Sequence, residues 1–433
     1  MRSLKFITLT LLGTLASFED AAAMTLEEAV HHTLQDNPEV QQARSEVKEI
    51  ERSVREEQGG YLPQLNLSAA AGREHTDNAT TDANFGGDKG LWRKESRLEL
   101  NQMLFDGGQV SSAVGQQRAR YRAAQSRLSD VQQNISFEAI QAYVNVLRRR
   151  NLLELAKKNV ANHEKYLDKI SEQVEGGQAS RADLKQTAGR LALAQSREID
   201  FRRQLEDVEA TYAEVTGRQP QGLTEPTFMP EESLPETRQA AVTQALEQNP
   251  SLQAQGHNVV AADEALDESY AAFFPRFNVE LSAGAGEDVD GSRGRNNELL
   301  ALVRMNYSLY AGGSDTARTQ SRAARKSANK SRRDNRRREV QAQMIQAWNN
   351  LTNTRESLEH LGDYVLSAEQ TRDAYVDQFD LGMRTQFDLL DSEIEAFNAN
   401  VELTNARYDY QLAKYQIRSL LGNLTDAFQT HSN

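Results

Sequence analysis

The chain has 433 residues, 50 Lys and Arg against 63 Asp and Glu, a net charge of −13, no cysteine and 38% hydrophobic residues. The acidic balance argues against a nucleic-acid binder, which needs a basic face. The missing cysteine excludes disulfides, thiolate metal sites, iron–sulfur clusters, a cysteine nucleophile and a lipid anchor on cysteine. The low apolar content argues against one large globular core and for an elongated or thin-layered chain of two or three units.

Residues 1–23 read as a signal peptide. Arg2 and Lys5 precede the apolar stretch Phe6 to Ala16, and Ala21, Ala22 and Ala23 offer a small-residue cleavage site. The stretch is shorter than the ~20 residues that a spanning helix needs. No later apolar run reaches that length, so any membrane crossing must be made by strands.

The remainder is written twice. Residues 29–38, AVHHTLQDNP, answer residues 241–250, AVTQALEQNP. Pro63 and Pro275 are separated by the same 212 positions as Pro38 and Pro250. Further on, Gly107 answers Gly312, Gly177 answers Gly382, Asp183 answers Asp388 and Gly217 answers Gly422, all 205 apart. A long repeat with one internal length change indicates duplication of a whole structural unit, not a solenoid. The first repeat is expected over 24–217 and the second over 237–422, with a proline-containing linker at 218–236 and a short tail at 423–433.

In each repeat a short helix stops at Asn-Pro (Asn37, Pro38; Asn249, Pro250) and a second runs to Tyr61-Leu62-Pro63 or Phe273-Phe274-Pro275. Period-two alternation follows. Leu65 and Leu67 oppose Asn66 and Ser68, and Phe277, Val279 and Leu281 oppose Asn278, Glu280 and Ser282. Strand pairs are expected at about 64–74 with 95–106, and at about 276–286 with 298–310. Gly107-Gly108 and Gly312-Gly313 read as strand-to-helix corners. Long proline-free helices are expected at 109–175 and 314–380, each roughly 100 Å at 1.5 Å per residue. Their length implies coiled-coil packing. Shorter partners follow at 180–217 and 385–421.

Strands of about ten residues suit a tilted bilayer crossing. Four strands cannot close a barrel, and an open edge is forbidden in lipid, so either they form a soluble sheet or several chains share one barrel. Tyr61, Trp92, Phe105, Phe273, Phe274 and Tyr310 sit at strand ends, as an interfacial girdle would.

The duplicated plan, the paired breaks, the F-D-G-G and Y-A-G-G helix starts, and the stretch from Leu381 to Asp391 followed by Asn405 to Tyr410 resemble the TolC family of outer-membrane channel proteins. The resemblance covers essentially the whole mature chain. It implies a mixed α and β membrane protein, a homotrimer with a 12-stranded β-barrel, and a helical coiled-coil tunnel reaching into the periplasm. Its implied partners are a periplasmic membrane-fusion adaptor, an inner-membrane ABC transporter or proton-driven pump, outer-membrane lipid, and an exported protein or small-molecule cargo. The segment Gly72 to Thr81 is similar to the branch that serves type I protein secretion.

By the same resemblance Asp388 and Asp391 match an acidic ring at the periplasmic entrance, three copies of each around one axis. Three apart on a helix, they share a face, and such a ring favours cations. The plainer reading is that Thr385-x-x-Asp388 forms a capping box. The first repeat keeps Asp183 but has Gln186 in place of the second acid. Asp183, Arg384 and Phe379 correspond to the links that hold the entrance closed. The family usually has Tyr where this chain has Phe379, so a hydroxyl is lost there.

The other candidates carry little. His31 and His32 are adjacent and do not make a helical zinc pair. The basic run from Arg322 to Arg338 reads as a solvated helix face. No phosphate loop, nucleophile elbow or zinc motif is found, so neither an enzyme nor a cofactor is expected. The leading reading is the exit duct of a type I secretion system. A small-molecule efflux outlet is the alternative within that class, and a trimeric coiled-coil surface adhesin the alternative outside it.

Overall fold

The computed structural model describes residues 24–77, 81 and 89–429. The expected signal peptide, most of the loop after the first strand and the last four residues of the tail lie outside the described residues.

The two halves carry the same series of elements. In the first are α1 (Leu26–Asp36), α2 (Pro38–Gln58), β1 (Gln64–Thr76), β2 (Lys89–Phe105), α3 (Gln109–Glu175) and α4 (Arg181–Thr216). In the second are α5 (Arg238–Gln248), α6 (Pro250–Tyr270), β3 (Arg276–Glu287), β4 (Arg295–Asn306), α7 (Ser314–Asp380) and α8 (Gln386–Leu421), with a last turn, α9 (Asp426–Gln429). Matching helices have equal lengths: 11 residues for α1 and α5, 21 for α2 and α6, 67 for α3 and α7, and 36 for α4 and α8.

The Asn-Pro breaks start helices as the sequence predicts. Asn37 Oδ1 accepts from the Glu39 amide at 2.9 Å, and Asn249 Oδ1 accepts from the Leu252 amide at 3.2 Å. In both cases proline occupies the first helical position, where its missing N–H costs nothing.

The chain divides into two compact units. One holds the described part of Met1–Leu34 with Glu138–Met229 and Thr354–Leu412; the other holds Gln35–Phe137, Pro230–Asn353 and the described part of Ala413–Asn433. In the first unit, Val365 and Ala368 of α7 pack on Ala396, Ala399 and Leu403 of α8. Alanines at this seam let two long helices approach closely. The linker is tied to the same unit: Arg150 Nη2 donates to the Pro220 carbonyl at 2.6 Å, and the Thr224 amide donates to the Tyr143 hydroxyl at 3.0 Å.

The second unit holds the sheet. The strands run antiparallel in the order β1-β2-β3-β4, so β1 and β4 are its two edges. Register puts like with like except at β4, where Leu300 opposes Ser282 and Leu302 opposes Glu280. Leu67 opposes Leu98, Leu98 opposes Ala283 and Ala283 opposes Leu299, while Asn66 opposes Glu99 and Glu99 opposes Ser282. The apolar face is bare: Leu67 is 75% exposed and Leu299 86%. The other face carries charge pairs, among them Arg304 Nε to Glu280 Oε1 at 2.6 Å and Arg97 Nη2 to Glu298 Oε2 at 3.5 Å.

Two strand bounds differ from the sequence expectation. β2 starts earlier, at Lys89, because residues Lys89 to Lys94 find partners along β1 as far as Thr76. β4 spans Arg295–Asn306 instead of 298–310, because its last rung is Asn306 against Arg276, the first residue of β3. Tyr307 to Tyr310 therefore precede α7 outside the strand.

Candidate functional site

The residues expected at the entrance all lie in the first unit, at the turns α3–α4 and α7–α8. Both turns are built alike. At the end of α7 the Gly382 amide donates to the Phe379 carbonyl at 3.0 Å and the Met383 amide to the Gln378 carbonyl at 2.8 Å. At the end of α3 the Gly177 amide reaches the Val174 carbonyl at 3.1 Å and the Gln178 amide the Gln173 carbonyl at 2.7 Å. This is the closure in which a left-handed residue ends a helix, and φ is +72° at Gly382 and +75° at Gly177.

Each following helix starts in a capping box. Asp183 Oδ2 accepts from the Ser180 amide at 2.9 Å while Ser180 Oγ accepts from the Asp183 amide at 3.2 Å. Asp388 Oδ2 accepts from the Thr385 amide at 3.2 Å while Thr385 Oγ1 accepts from the Asp388 amide at 3.3 Å. These bonds hold both carboxyls below the usual carboxylate range: for Asp183 the backbone and side-chain bonds of Ser180, for Asp388 the side-chain and then the backbone bond of Thr385. Both are anionic at neutral pH and half-buried.

Asp391 is exposed, and its Oδ1 accepts from Arg190 Nη2 of α4 at 3.0 Å. Within one chain, then, one of the two expected ring acids is engaged by its own turn and the other by a cation of the neighbouring hairpin.

Arg384 is engaged at its own hairpin. Its guanidinium lies over the Tyr375 ring, 4.3 Å from the centroid, its Nε donates to Gln378 Oε1 at 2.9 Å, and its Nη1 is 4.0 Å from Asp388. Phe379 is buried with Ile170 and Leu389, against Tyr166, Val174, Leu184 and Val376. Lys169 ion-pairs with Asp380, and its ammonium sits 5.6 Å from the Phe379 ring centroid. The two hairpins are joined by Gln386, which donates through Nε2 to the Asp183 carbonyl at 2.8 Å and to Thr187 Oγ1.

Behind this surface lies a buried polar group. Glu393 accepts from Asn162 Nδ2 at 2.7 Å and from the Tyr166 hydroxyl at 3.1 Å. Burial and the Glu393 charge push the Tyr166 hydroxyl up. His163, 2% exposed, meets the Tyr166 ring edge-on at 6.2 Å between centroids, and burial with the charges of Arg190 and Arg197 lowers it to about 4.

Reasoning from sequence missed Tyr375, Gln378, Arg190 and Gln386. Arg384 and Tyr375 meet only because the left-handed turn at Gly382 reverses the chain, and that reversal brings together residues whose spacing matches no helical period. Among the described residues no group of acids and histidines is arranged to hold a metal ion.

Residues 29–218 and 241–423 match the family described as outer membrane efflux protein. BepC of Brucella suis biovar 1, an outer membrane efflux protein, is 25% identical over 414 residues, covering 95% of this chain and 88% of BepC. AprF of Pseudomonas aeruginosa, an alkaline protease secretion protein, is 28% identical over 428 residues, covering 94% of this chain and 86% of AprF. The crystal structure of the outer membrane protein VceC from Vibrio cholerae superposes with a TM-score of 0.79 at 17% identity, over 92% of this chain and 96% of VceC, and so shares the fold. The chain belongs to the outer membrane efflux protein family, channel proteins of the TolC type that reside in the outer membrane.

Proposed function

We propose that three copies of the chain close one duct through the outer membrane and that the duct is the exit of a type I protein secretion system. The observation that carries the reading is the four-stranded sheet with open edges at β1 and β4, bare and apolar on one face and charged on the other. Each unpaired backbone group costs several kcal/mol in hydrocarbon, so such edges must be joined. Three sheets of four strands, β4 of each copy meeting β1 of the next, make a 12-stranded barrel whose charged face lines water. The 67-residue helices then continue the wall into the periplasm as a coiled-coil tunnel.

Transport through such a duct is passive. The energy comes from an inner-membrane ABC transporter that docks through a periplasmic adaptor, and the two helical turns form the entrance. Asp388 and Asp391 supply its acidic ring, and Asp183, Arg384 and Phe379 belong to the contacts that keep it closed. Protein secretion is favoured by the similarity to AprF over most of both chains. Efflux of small molecules by a proton-driven pump is the second reading, supported by BepC. The matched family and relatives give no support to a surface adhesin.

Light scattering of the detergent-solubilised protein, corrected for bound detergent, is expected to give three chains, and planar-bilayer recording a discrete conductance. A stable single-copy species that is soluble without detergent overturns the reading. Deleting the gene separates the two cargo classes: loss of a secreted protein from the medium supports secretion, and sensitivity to toxic small molecules alone supports efflux.

A further inference from the structure

The charged face of the sheet is not open along its whole length. Side chains alternate between the two faces along a strand, and directly opposed residues share a face. At the end where β1 turns into β2 and β3 into β4, the charged face is covered. Glu74 of β1, Arg93 and Glu95 of β2 and Gly286 of β3 are half-buried there, while Arg73, Lys94 and Ala285 on the other face are exposed. Leu91, on the same face as Arg93, is only 6% exposed. On β4 both faces are open from Arg295 to Asn306.

The cover is the loop between β3 and β4, residues 288–294. It closes on itself: the Asp288 amide donates to the Gly294 carbonyl at 3.0 Å, and the Gly294 amide donates to Asp288 Oδ1 at 2.9 Å. It then folds back over the sheet. Val289 lies over Gly286, where a Cβ would come 2.8 Å from its Cγ2. Gly291 is buried against Thr76 and Thr81, where a Cβ would come 2.5 Å from Thr81 Cγ2. With φ at +74° and no side chain, Gly291 is what lets the loop turn down onto β1.

Two side chains tie the loop down. Glu74 accepts from the Gly291 amide at 2.9 Å and from the Asp290 amide at 3.4 Å. Arg93 Nη1 donates to Glu74 Oε2 at 2.9 Å and to Asp290 Oδ1 at 3.0 Å, while its Nη2 donates to Glu95 Oε2 at 2.6 Å. Bonds between charged partners are shorter and stronger than neutral ones. This clamp joins β1, β2 and a loop 197 positions further along the chain. Beside the loop the same face opens as a cleft of about 370 Å³ between Val289, Arg97 and Glu298, so that flank of the loop is unpacked.

Position gives the loop a role. Helices α2 and α6 lead into β1 and β3, and β2 and β4 lead into α3 and α7, so the strand turns lie at the end of the sheet away from the helices. In the duct proposed above that end is the outer mouth, and the charged face lines water. We infer that the β3–β4 loop is a strap that narrows the outer mouth, and that Glu74 and Arg93 latch it in the narrowed position. Three such straps limit the size of solute that enters from outside, and a departing cargo must push them off their latches. The inference rests on the shared barrel and adds to it a size limit at the end opposite the periplasmic entrance.

The absence of native cysteine allows a single probe. Ser282→Cys places a thiol on the charged face of β3, opposite Glu99 and four residues before Gly286. A maleimide carried on a polyethylene glycol chain, added to intact cells, reaches that thiol only through the outer mouth. With the strap latched, this bulky reagent is expected to react at least tenfold more slowly than in Glu74→Ala or Arg93→Ala, while a small maleimide reacts equally fast in all three. Asp290→Gly, confined to the exposed loop, is expected to shift the bulky reagent in the same direction and decides the matter where a strand variant fails to assemble. Assembled variants that all react with the bulky reagent as slowly as the latched protein overturn the strap. Equal acceleration of both reagents also overturns it, because the loop then shields the strand and not the mouth. A thiol that neither reagent reaches in any variant, or a single-copy protein by light scattering, overturns the shared barrel itself.

Discussion

Arg384 lies flat over Tyr375, its guanidinium carbon 4.3 Å from the ring centroid, although nine positions and a chain reversal separate the two. The stack is completed by Gln378 Oε1, which accepts from Arg384 Nε at 2.9 Å. The cation is therefore docked on the last turns of the helix that precedes it. An exposed guanidinium over a half-buried ring is stabilised by about 0.5–1 kcal/mol. That is weak enough for a carboxylate of a neighbouring copy in the proposed trimer to compete for Arg384.

Arg384→Ser removes both the stack and the Gln378 bond. If the α7–α8 turn helps to keep the entrance shut, the variant has a higher single-channel conductance in planar bilayers, while its assembly by light scattering is unchanged. A conductance equal to that of the wild type places the closing contacts elsewhere. Tyr375→Leu, which keeps bulk but removes the ring face, is expected to shift conductance in the same direction by a smaller amount.

Asp388 and Asp391 differ in what they do within the chain, and their substitutions separate accordingly. Asp388→Asn with Asp391→Asn removes up to six negative charges from the proposed ring and is expected to weaken block by multivalent cations at least tenfold. Arg190→Ala has the opposite sign, because it frees Asp391 from the bond at 3.0 Å. Block by the same cation is then expected to tighten. Identical block in all three proteins removes the acidic ring from the mechanism.

Much of the fold was legible because its signals are local. Proline after asparagine, glycine where φ is positive and period-two alternation each act over a few residues, and the repeat let every signal be read twice. The long helices α3 and α7 fall on their expected bounds for this reason. The bounds of β2 and β4 were not legible, because a strand ends where its partner ends, and Lys89 to Lys94 are in the sheet only because β1 continues to Thr76. At the α7–α8 turn the capping box of Thr385 was visible in the sequence. The link from Gln386 to Asp183 was not, since it joins hairpins from different repeats.

That link carries a stability prediction. Gln386→Ala removes the bond to the Asp183 carbonyl and the one to Thr187, and leaves Thr187, a buried side chain, without that donor. The expected loss is about 1–3 kcal/mol. Thr385→Ala removes the cap of α8 and is expected to cost about 1 kcal/mol. Urea unfolding followed by helical circular dichroism measures both, and a Gln386→Ala protein as stable as the wild type would mean that the hairpins are held by their other contacts, the Phe379 cluster and the bonds of Arg190, Lys169 and Glu393.

His163 gives the paired hairpins α3–α4 and α7–α8 a pH dependence of known sign. It is buried, its Nδ1 has no hydrogen-bond partner among the described residues, and burial with the nearby Arg190 and Arg197 lowers it from the ordinary 6.5 to about 4. Between those values the unfolded chain takes up a proton that the folded chain does not, so stability rises with pH across the window. Lowering pH from 7 towards 4 therefore destabilises the fold, by at most ~1.4 kcal/mol per pH unit for each chain. The capping acids Asp183 and Asp388 act below that window: their depressed values keep the caps ionised until pH falls under the ordinary carboxylate range. His163→Phe keeps the ring against Tyr166 and cannot be protonated. Urea midpoints at pH 7 and pH 5 are expected to differ more for the wild type than for the variant. Equal differences would mean that His163 takes up its proton over the same pH range in the folded and the unfolded chain.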